Sequence, residues 1–229
     1  MKAFAVSAFA LVLFAATCSA ASIDNRGLLD GALKNALEGL RPKVKDLAIN
    51  DTSINIDKPE LQVNATIKNG LVEGLDKFVT RRLTTTLLPL RLTNLTLTWD
   101  KVKITGVYDL FACLNFPTLP DVTKIFGAGK FKIQFHGIFF TIAADFVFEN
   151  GHFKIPKNGL HGCDVSLKES KVELDNLLGG GEKGDILNKY ISFFIPEFIN
   201  DHKQTIFDVA REPIIEMIND YLAGNSNKL

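Results

Sequence analysis

Apolar and polar positions change their period twice along this chain. Residues 24–41, DNRGLLDGALKNALEGLR, carry Leu28, Leu29, Ala32, Leu33, Ala36, Leu37 and Leu40 at helical spacing, an apolar stripe on one face. Asp24 is suited to the N-cap, and Pro42 lies close to the end. From about residue 53 to 175 the period becomes two, which predicts strands over 60–68, 71–80, 92–99, 101–108, 130–148, 151–156 and 163–174. Such alternation implies an antiparallel sheet with one dry and one wet face, and Asn150-Gly151 predicts a hairpin. Over 185–222 helical spacing returns, with a stripe running through Leu187, Tyr190, Ile191, Phe194, Ile195, Phe198 and Ile199 to Leu222. Pro196 and Pro213 are expected to kink or divide this helix, and Gly224 and Asn225 to end it.

A run of strands followed by a long helix predicts an α+β fold, not the alternating order of a parallel sheet. The helix is more apolar than one resting on a flat sheet needs to be, so a strongly curved sheet wrapping it would satisfy both. The stretch 131–148, FKIQFHGIFFTIAADFVF, holds six phenylalanines. Its apolar parity switches near His136-Gly137, which predicts a bulge at that glycine. Phe131, Phe135, Phe140, Ile142, Phe146 and Phe148 then share the dry face and, with Phe194 and Phe198 of the helix, are the candidate lining of an internal space for an apolar ligand. The alternative is a solid core made of the same rings.

The chain opens MKAFAVSAFALVLFAATCSA, a charged residue, an apolar run and small residues, which reads as a signal peptide over 1–20 and leaves 21–229 as a single domain. Secretion into the extracellular space follows. The leader takes only Lys2 from 26 basic and 26 acidic residues, and this near-neutral balance without basic blocks excludes nucleic acid as a partner. Loss of Cys18 leaves Cys113 and Cys163, which in an oxidising compartment read as a disulfide, with buried free thiols as the rival. Asn50, Asn64 and Asn94 head N-x-Thr sequons, and strand parity directs Asn64 and Asn94 to the wet face as glycosylation candidates.

Catalytic and cofactor motifs are weak. GGGEKG at 179–184 has the glycine spacing of a nucleotide loop but no following βαβ unit. His161-Gly162-Cys163 has no partner at metal-ligand spacing, and the other histidines are scattered. The reading is a monomeric binding protein with neither cofactor nor metal, not an enzyme. A lipid surface is its second candidate partner, through the apolar stretches IFG (125–127) and TTTLLPLRL (84–92), both expected in loops, or through the helix 24–41.

Four stretches, in order, resemble the insect Takeout and juvenile-hormone-binding family, with the group-seven mite allergens as close neighbours. They are VKITGVYDL (102–110), GAGKFKIQFHGIFFTI (127–142), KVELDNLLGGGEKGDILNKYI (171–191) and FINDHKQTIFDVAREPIIEMINDYL (198–222). The resemblance implies the tubular lipid-binding fold, a curved antiparallel sheet around a long helix with a tunnel for a terpenoid, fatty acid or similar lipid. It places Cys113–Cys163 where the family has its second bridge. The chain departs from the hormone-binding members in having no cysteine between 21 and 112, where the extra amphipathic helix stands.

Overall fold

The computed structural model describes residues 37–222 apart from 40, 43, 59–60, 88–89, 115–122 and 150–151. The leader, most of the helix at 24–41 and the cap at 224–225 lie outside the described residues. Within them, 37–39, 41–42 and 44 are helical. Nine strands follow: β1 (Leu47–Ile49), β2 (Thr52–Lys58), β3 (Leu61–Glu73), β4 (Val79–Leu87), β5 (Leu90–Leu114), β6 (Thr123–Asp145), β7 (Val147–Glu149), β8 (His152–Lys154) and β9 (Leu160–Leu174). Two helices follow, α1 (Gly181–Asp201) and α2 (Lys203–Leu222).

All pairings are antiparallel, and the main sheet runs β1-β3-β5-β6-β9, with β2 on β3 and β4 on β5. The 25-residue β5 is the spine. One side of it holds β3 along 103–114 and β4 along 90–98, laid end to end, and the other side holds β6 throughout. The strands expected at 92–99 and 101–108 are thus one element. IFG is not a loop: it lies inside β6, and TTTLLPLRL belongs to the β4 and β5 arms on either side of residues 88–89. The hairpin expected at 150–151 joins β7 to β8.

No bulge occurs at Gly137. Trp99↔Ile138↔Leu167 and Lys101↔His136↔Glu169 keep one register across β5, β6 and β9 on both sides of it. The parity switch is instead shared by three strands. Asp100 and Lys101, His136 and Gly137, and Lys168 and Glu169 all point away from the core, while Trp99, Ile138 and Leu167 before them and Val102 and Phe135 after them point into it. Two polar rows in succession crease the sheet. Gly137 allows this through a left-handed φ of 65°, and a Cβ there would meet that of Lys168 at 2.8 Å. True register shifts lie elsewhere, between Leu92 and Leu95 and between Thr141 and Ala143.

The crease separates two halves. On one side, Leu92, Leu95, Leu97, Trp99, Ile138, Phe140, Ile142, Ala144 and Leu160 pack with Leu37, Phe207 and Ile215 into a closed core. Trp99 donates its indole N–H to the Leu75 carbonyl at 2.9 Å and meets Phe78 edge-on. Arg41 lies over the Phe78 ring and donates to the carbonyls of Asp76 and Phe78, which fastens the helical turn at 37–44 to this core. On the other side the dry face is unevenly covered: Val72, Val102, Tyr108, Ala112, Phe131 and Val172 are buried, whereas Val63, Ala65, Ile67, Ile104, Leu110, Ile125 and Ile133 are only partly so.

Neither proline divides the C-terminal helix. The break falls at His202, with φ −111° and ψ 16°, while Pro196 sits inside α1 and Pro213 inside α2. His202 N–H still donates to Phe198 O and Ile206 N–H to His202 O, so the two helices run almost continuously.

Candidate functional site

An edge strand exposes a row of unpaired N–H and C=O groups, and β9 is such an edge. Here α1 supplies the missing partner with side chains. Asn188 accepts from Leu174 N–H at 3.1 Å and donates to its carbonyl at 3.2 Å. Asn200 does the same for Leu167, both at 3.0 Å, and in α2 Asn219 does so for Ile155. Ser192 Oγ accepts from Val172 N–H at 2.7 Å. Pro196 completes the seam. It has no N–H to give the carbonyl of Ser192, four residues earlier, and that carbonyl accepts the Ser170 hydroxyl at 2.6 Å instead. A proline that would ordinarily break a helix is used to free an acceptor for the sheet.

Fixing that face of α1 against β9 turns the opposite face outward. Ile186, Tyr190, Phe193, Phe194 and Phe198 are exposed, Phe194 at 46% and Phe198 at 42%. Tyr190, Phe194, Phe198 and His202, spaced by four, form a continuous stack with ring centroids 6.2, 5.6 and 4.5 Å apart. Ile195 and Ile199, between the two faces, pack against the core.

The residues singled out from the sequence therefore divide. Phe140 (4% exposed) and Ile142 (0%) belong to the closed core. Phe135 and Phe146 are half-buried and pack against it. Phe131 is buried in the other half, its ring filling the space that Gly106 leaves without a Cβ. Phe194 and Phe198 stand on the aromatic stack. The backbone of Phe148 pairs with Phe153 in the small hairpin. Sequence reasoning missed the seam residues Asn188, Ser192 and Asn200. Their signal was legible: small uncharged polar side chains at i, i+4 and i+12 share one face of the helix.

The far end of this half is tied to the turn before α1. Tyr108 donates to the Asp175 carbonyl at 2.7 Å, and burial, followed by the Asp175 charge, raises its phenol above the ordinary value. Gly127 and Gly129 back directly onto this turn, where a Cβ would strike Leu177 Cα at 2.9 Å and Asp175 Cβ at 2.8 Å. Asn176 and Leu178 hold left-handed φ values of 56° and 54°. Tyr108, Gly127 and Gly129 thus serve one purpose, the close seating of residues 175–178.

The expected disulfide is absent. Cys113 and Cys163 are both free. Cys113 stands opposite Lys124 at the start of β6, whereas Asp164, beside Cys163, stands opposite Thr141 near its end. Roughly 60 Å of strand contour separates these positions at ~3.3 Å per residue, and a bridge needs Cα atoms roughly 5.5 Å apart. Burial, then the neighbouring Asp164, push the Cys163 thiol up to about 12.

Asn50 and Asn64 are exposed; Asn94 is half-buried and its carboxamide accepts from the buried Thr96 hydroxyl at 2.8 Å. A groove of about 860 Å³ runs along the β9–α1 seam, lined by the seam residues Ser170, Val172, Asn188, Ser192 and Pro196, by Phe193 and by charged groups of both signs. Among the described residues no set of three His, Cys, Asp or Glu side chains is placed to hold a metal, and no helix is long and apolar enough to cross a membrane.

With this geometry in place, the comparisons are specific. The profile of the haemolymph juvenile hormone binding protein family matches residues 29–226. The chain belongs to that family. Takeout 1 of Epiphyas postvittana is similar in fold, with a TM-score of 0.54 at 17% identity over 84% of this chain and 91% of that one. A weaker likeness, TM-score 0.39 at 16% identity over 82% of this chain and 36% of the other, is to a lipopolysaccharide binding protein. By sequence, no curated protein matches. The fold is accordingly the tubular type of this family: a long antiparallel sheet as the wall, with the C-terminal helices laid along it.

Proposed function

We propose that this family member is an extracellular carrier of a small apolar ligand, held in the open half between the dry face of the sheet and the aromatic face of α1. One observation carries the reading. The Tyr190–Phe194–Phe198 stack is solvent-exposed on a helix beside a sheet half whose dry face keeps Val63, Ile67, Ile104, Leu110, Ile125 and Ile133 partly exposed, while the other half packs tightly with the same residue types. A chain that closes one core so completely and leaves this surface open has a use for it. Phe131, Phe135, Phe194 and Phe198 are the proposed contacts, and Phe140 and Ile142 their packed support.

The driving force is removal of apolar area from water, ~25 cal/mol per Å². A ligand burying ~300 Å² gains roughly 7 kcal/mol before association costs, which suits affinities near micromolar. Terpenoids, fatty acids and similar lipids fit this chemistry. The family's name supports transport of such a cargo through haemolymph, and the leader at 1–20 supports secretion. Organic extraction of purified secreted protein followed by mass spectrometry tests the reading. A stoichiometric apolar molecule is the expected result; an empty protein that binds vesicles instead would replace it with lipid-surface engagement.

A further inference from the structure

The wet face of the sheet carries a feature the ligand reading does not use. Phe111 and Phe126 point outward from β5 and β6, exposed at 47% and 46%, on a face whose neighbouring positions are mostly polar. They are direct Cα partners, and the next residue along the same row is Asn64 of β3, followed by Asn55 of β2. Asn64 is exposed and heads the sequon Asn64-Ala65-Thr66. We propose that Asn64 is N-glycosylated and that the first sugars of the glycan lie across Phe111 and Phe126, so that this chain covers its own outward apolar pair.

Register supplies the argument. Residues directly opposite across an antiparallel pair have Cβ atoms about 5 Å apart. Strands are spaced ~4.8 Å, so both rings lie within about 10 Å of Asn64. A pyranose ring presents C–H groups on one face and hydroxyls around its rim. That face matches the electron-rich face of an aromatic ring, while the rim stays hydrated. On the other side of Asn64 stands only Asn55, which offers nothing apolar, so the two phenylalanines set the direction in which the glycan lies.

The other two sequons lack such a seat. Asn50 opens the short β1–β2 connection, and Thr52 returns its hydroxyl to the Asn50 carbonyl. Asn94 is half-buried, and its sequon threonine is held by Thr141 at 3.1 Å as well as by Asn94 itself. Asn64 alone of the three combines exposure with adjacent exposed rings.

The proposal rests on the extracellular reading, and the experiment keeps the two apart by using a heterologous secretory leader in a eukaryotic host. Export directed by the chain's own leader is scored separately and bears only on the carrier reading. Glycopeptide mapping should find Asn64 occupied. N64Q should lower the melting temperature by a few degrees relative to the glycosylated protein, and that difference should vanish in the F111S/F126S background. Both rings are exposed, so their replacement by serine leaves the core intact. Selectively labelled phenylalanine should also show nuclear Overhauser contacts from both rings to sugar protons. An unoccupied Asn64 in protein glycosylated at Asn50 overturns the proposal. So does an occupied Asn64 whose sugars show no contact with either ring and whose removal costs the same with or without them.

Discussion

The two halves of this sheet are built from the same strands and reach opposite outcomes. On one side of the crease, dry-face side chains of β5, β6 and β9 meet α2 and the turn at 37–44, and exposure falls nearly to zero. On the other, the same strands continue with similar alternation, yet burial is patchy: Val102, Tyr108, Phe131 and Val172 are buried, while Val63, Ile67, Ile104, Leu110, Ile125 and Ile133 stay partly exposed beside a helix whose aromatic face is turned away from β9. Hydrophobic patterning alone therefore does not decide whether a sheet face closes. Here α1 is held along the β9 edge by amide and hydroxyl pairs, and the face it can then offer is fixed. The seam holds the second half open.

The largest test of this contrast is truncation in the closed half. Phe140→Ala and Leu97→Ala, each at a buried position, should cost about 3–5 kcal/mol in chemical denaturation and leave the affinity of the folded protein for a fluorescent fatty acid unchanged. Altered binding at Phe140 with little loss of stability would place the ligand in the closed half and dissolve the distinction.

The seam comes next in size. Asn200→Ala deprives both backbone groups of Leu167 of their partners inside the packed half, for an expected loss of about 1–3 kcal/mol. Asn188→Ala makes the equivalent change at Leu174 in the open half, where water can reach the freed groups, and should cost less. It should, however, bare the β9 edge and raise β-type self-association on heating. Equal losses at the two sites would mean that the halves are not differently packed.

How much of this was legible in the sequence depends on the range of the signal. The α+β order, the dry-face parity of β6 and the helical stripe follow from periods of two and 3.6, which are local. The crease was half legible. The switch at His136-Gly137 was visible, but only pairing shows that WDKV and LKES switch in the same rows, so that no bulge is needed. The prolines misled because their effect depends on the neighbour: with Ser170 taking the Ser192 carbonyl, Pro196 fits inside α1. The cysteines misled because pairing them by number ignores the long β6 between them. Mapping of unreduced protein should find two free thiols, with Cys163 unreactive to iodoacetamide until unfolding, since burial keeps it protonated. A Cys113–Cys163 peptide would refute this strand order. The aromatic face of α1 was read correctly as a stripe, but its exposure was not foreseen, because burial depends on which other face the sheet edge claims.

On that stripe, Phe194→Ala and Phe198→Ala should each change stability by less than about 1 kcal/mol, as for surface positions away from the core. Their combination should weaken fatty-acid binding at least severalfold. A destabilisation comparable to that of Phe140→Ala would show that the stack is buried in solution, and the open half would not be open.

The smallest effect tests the wet side of the open half. Glu173 receives Lys132 at 2.8 Å and Lys171 at 2.6 Å, and these hydrogen bonds hold its carboxyl below the ordinary carboxylate value. A depressed folded value means that the pair favours the folded state above the unfolded carboxylate range near ~4.3 and that the contribution disappears as pH falls through the lower, folded value. The groups are well exposed, so solvent screening limits the gain at neutral pH to a few tenths of a kcal/mol. Because the crease separates this row from the closed core, that small term should be felt locally. Glu173→Gln should speed amide exchange at 172–174 at pH 7 while leaving amides of the closed half, such as those at 138–142, unchanged. Once the pH has fallen below the lowered, folded value of the carboxyl, variant and wild type should converge. If exchange accelerates equally in both halves, the sheet opens as one unit and the crease is not a boundary of stability.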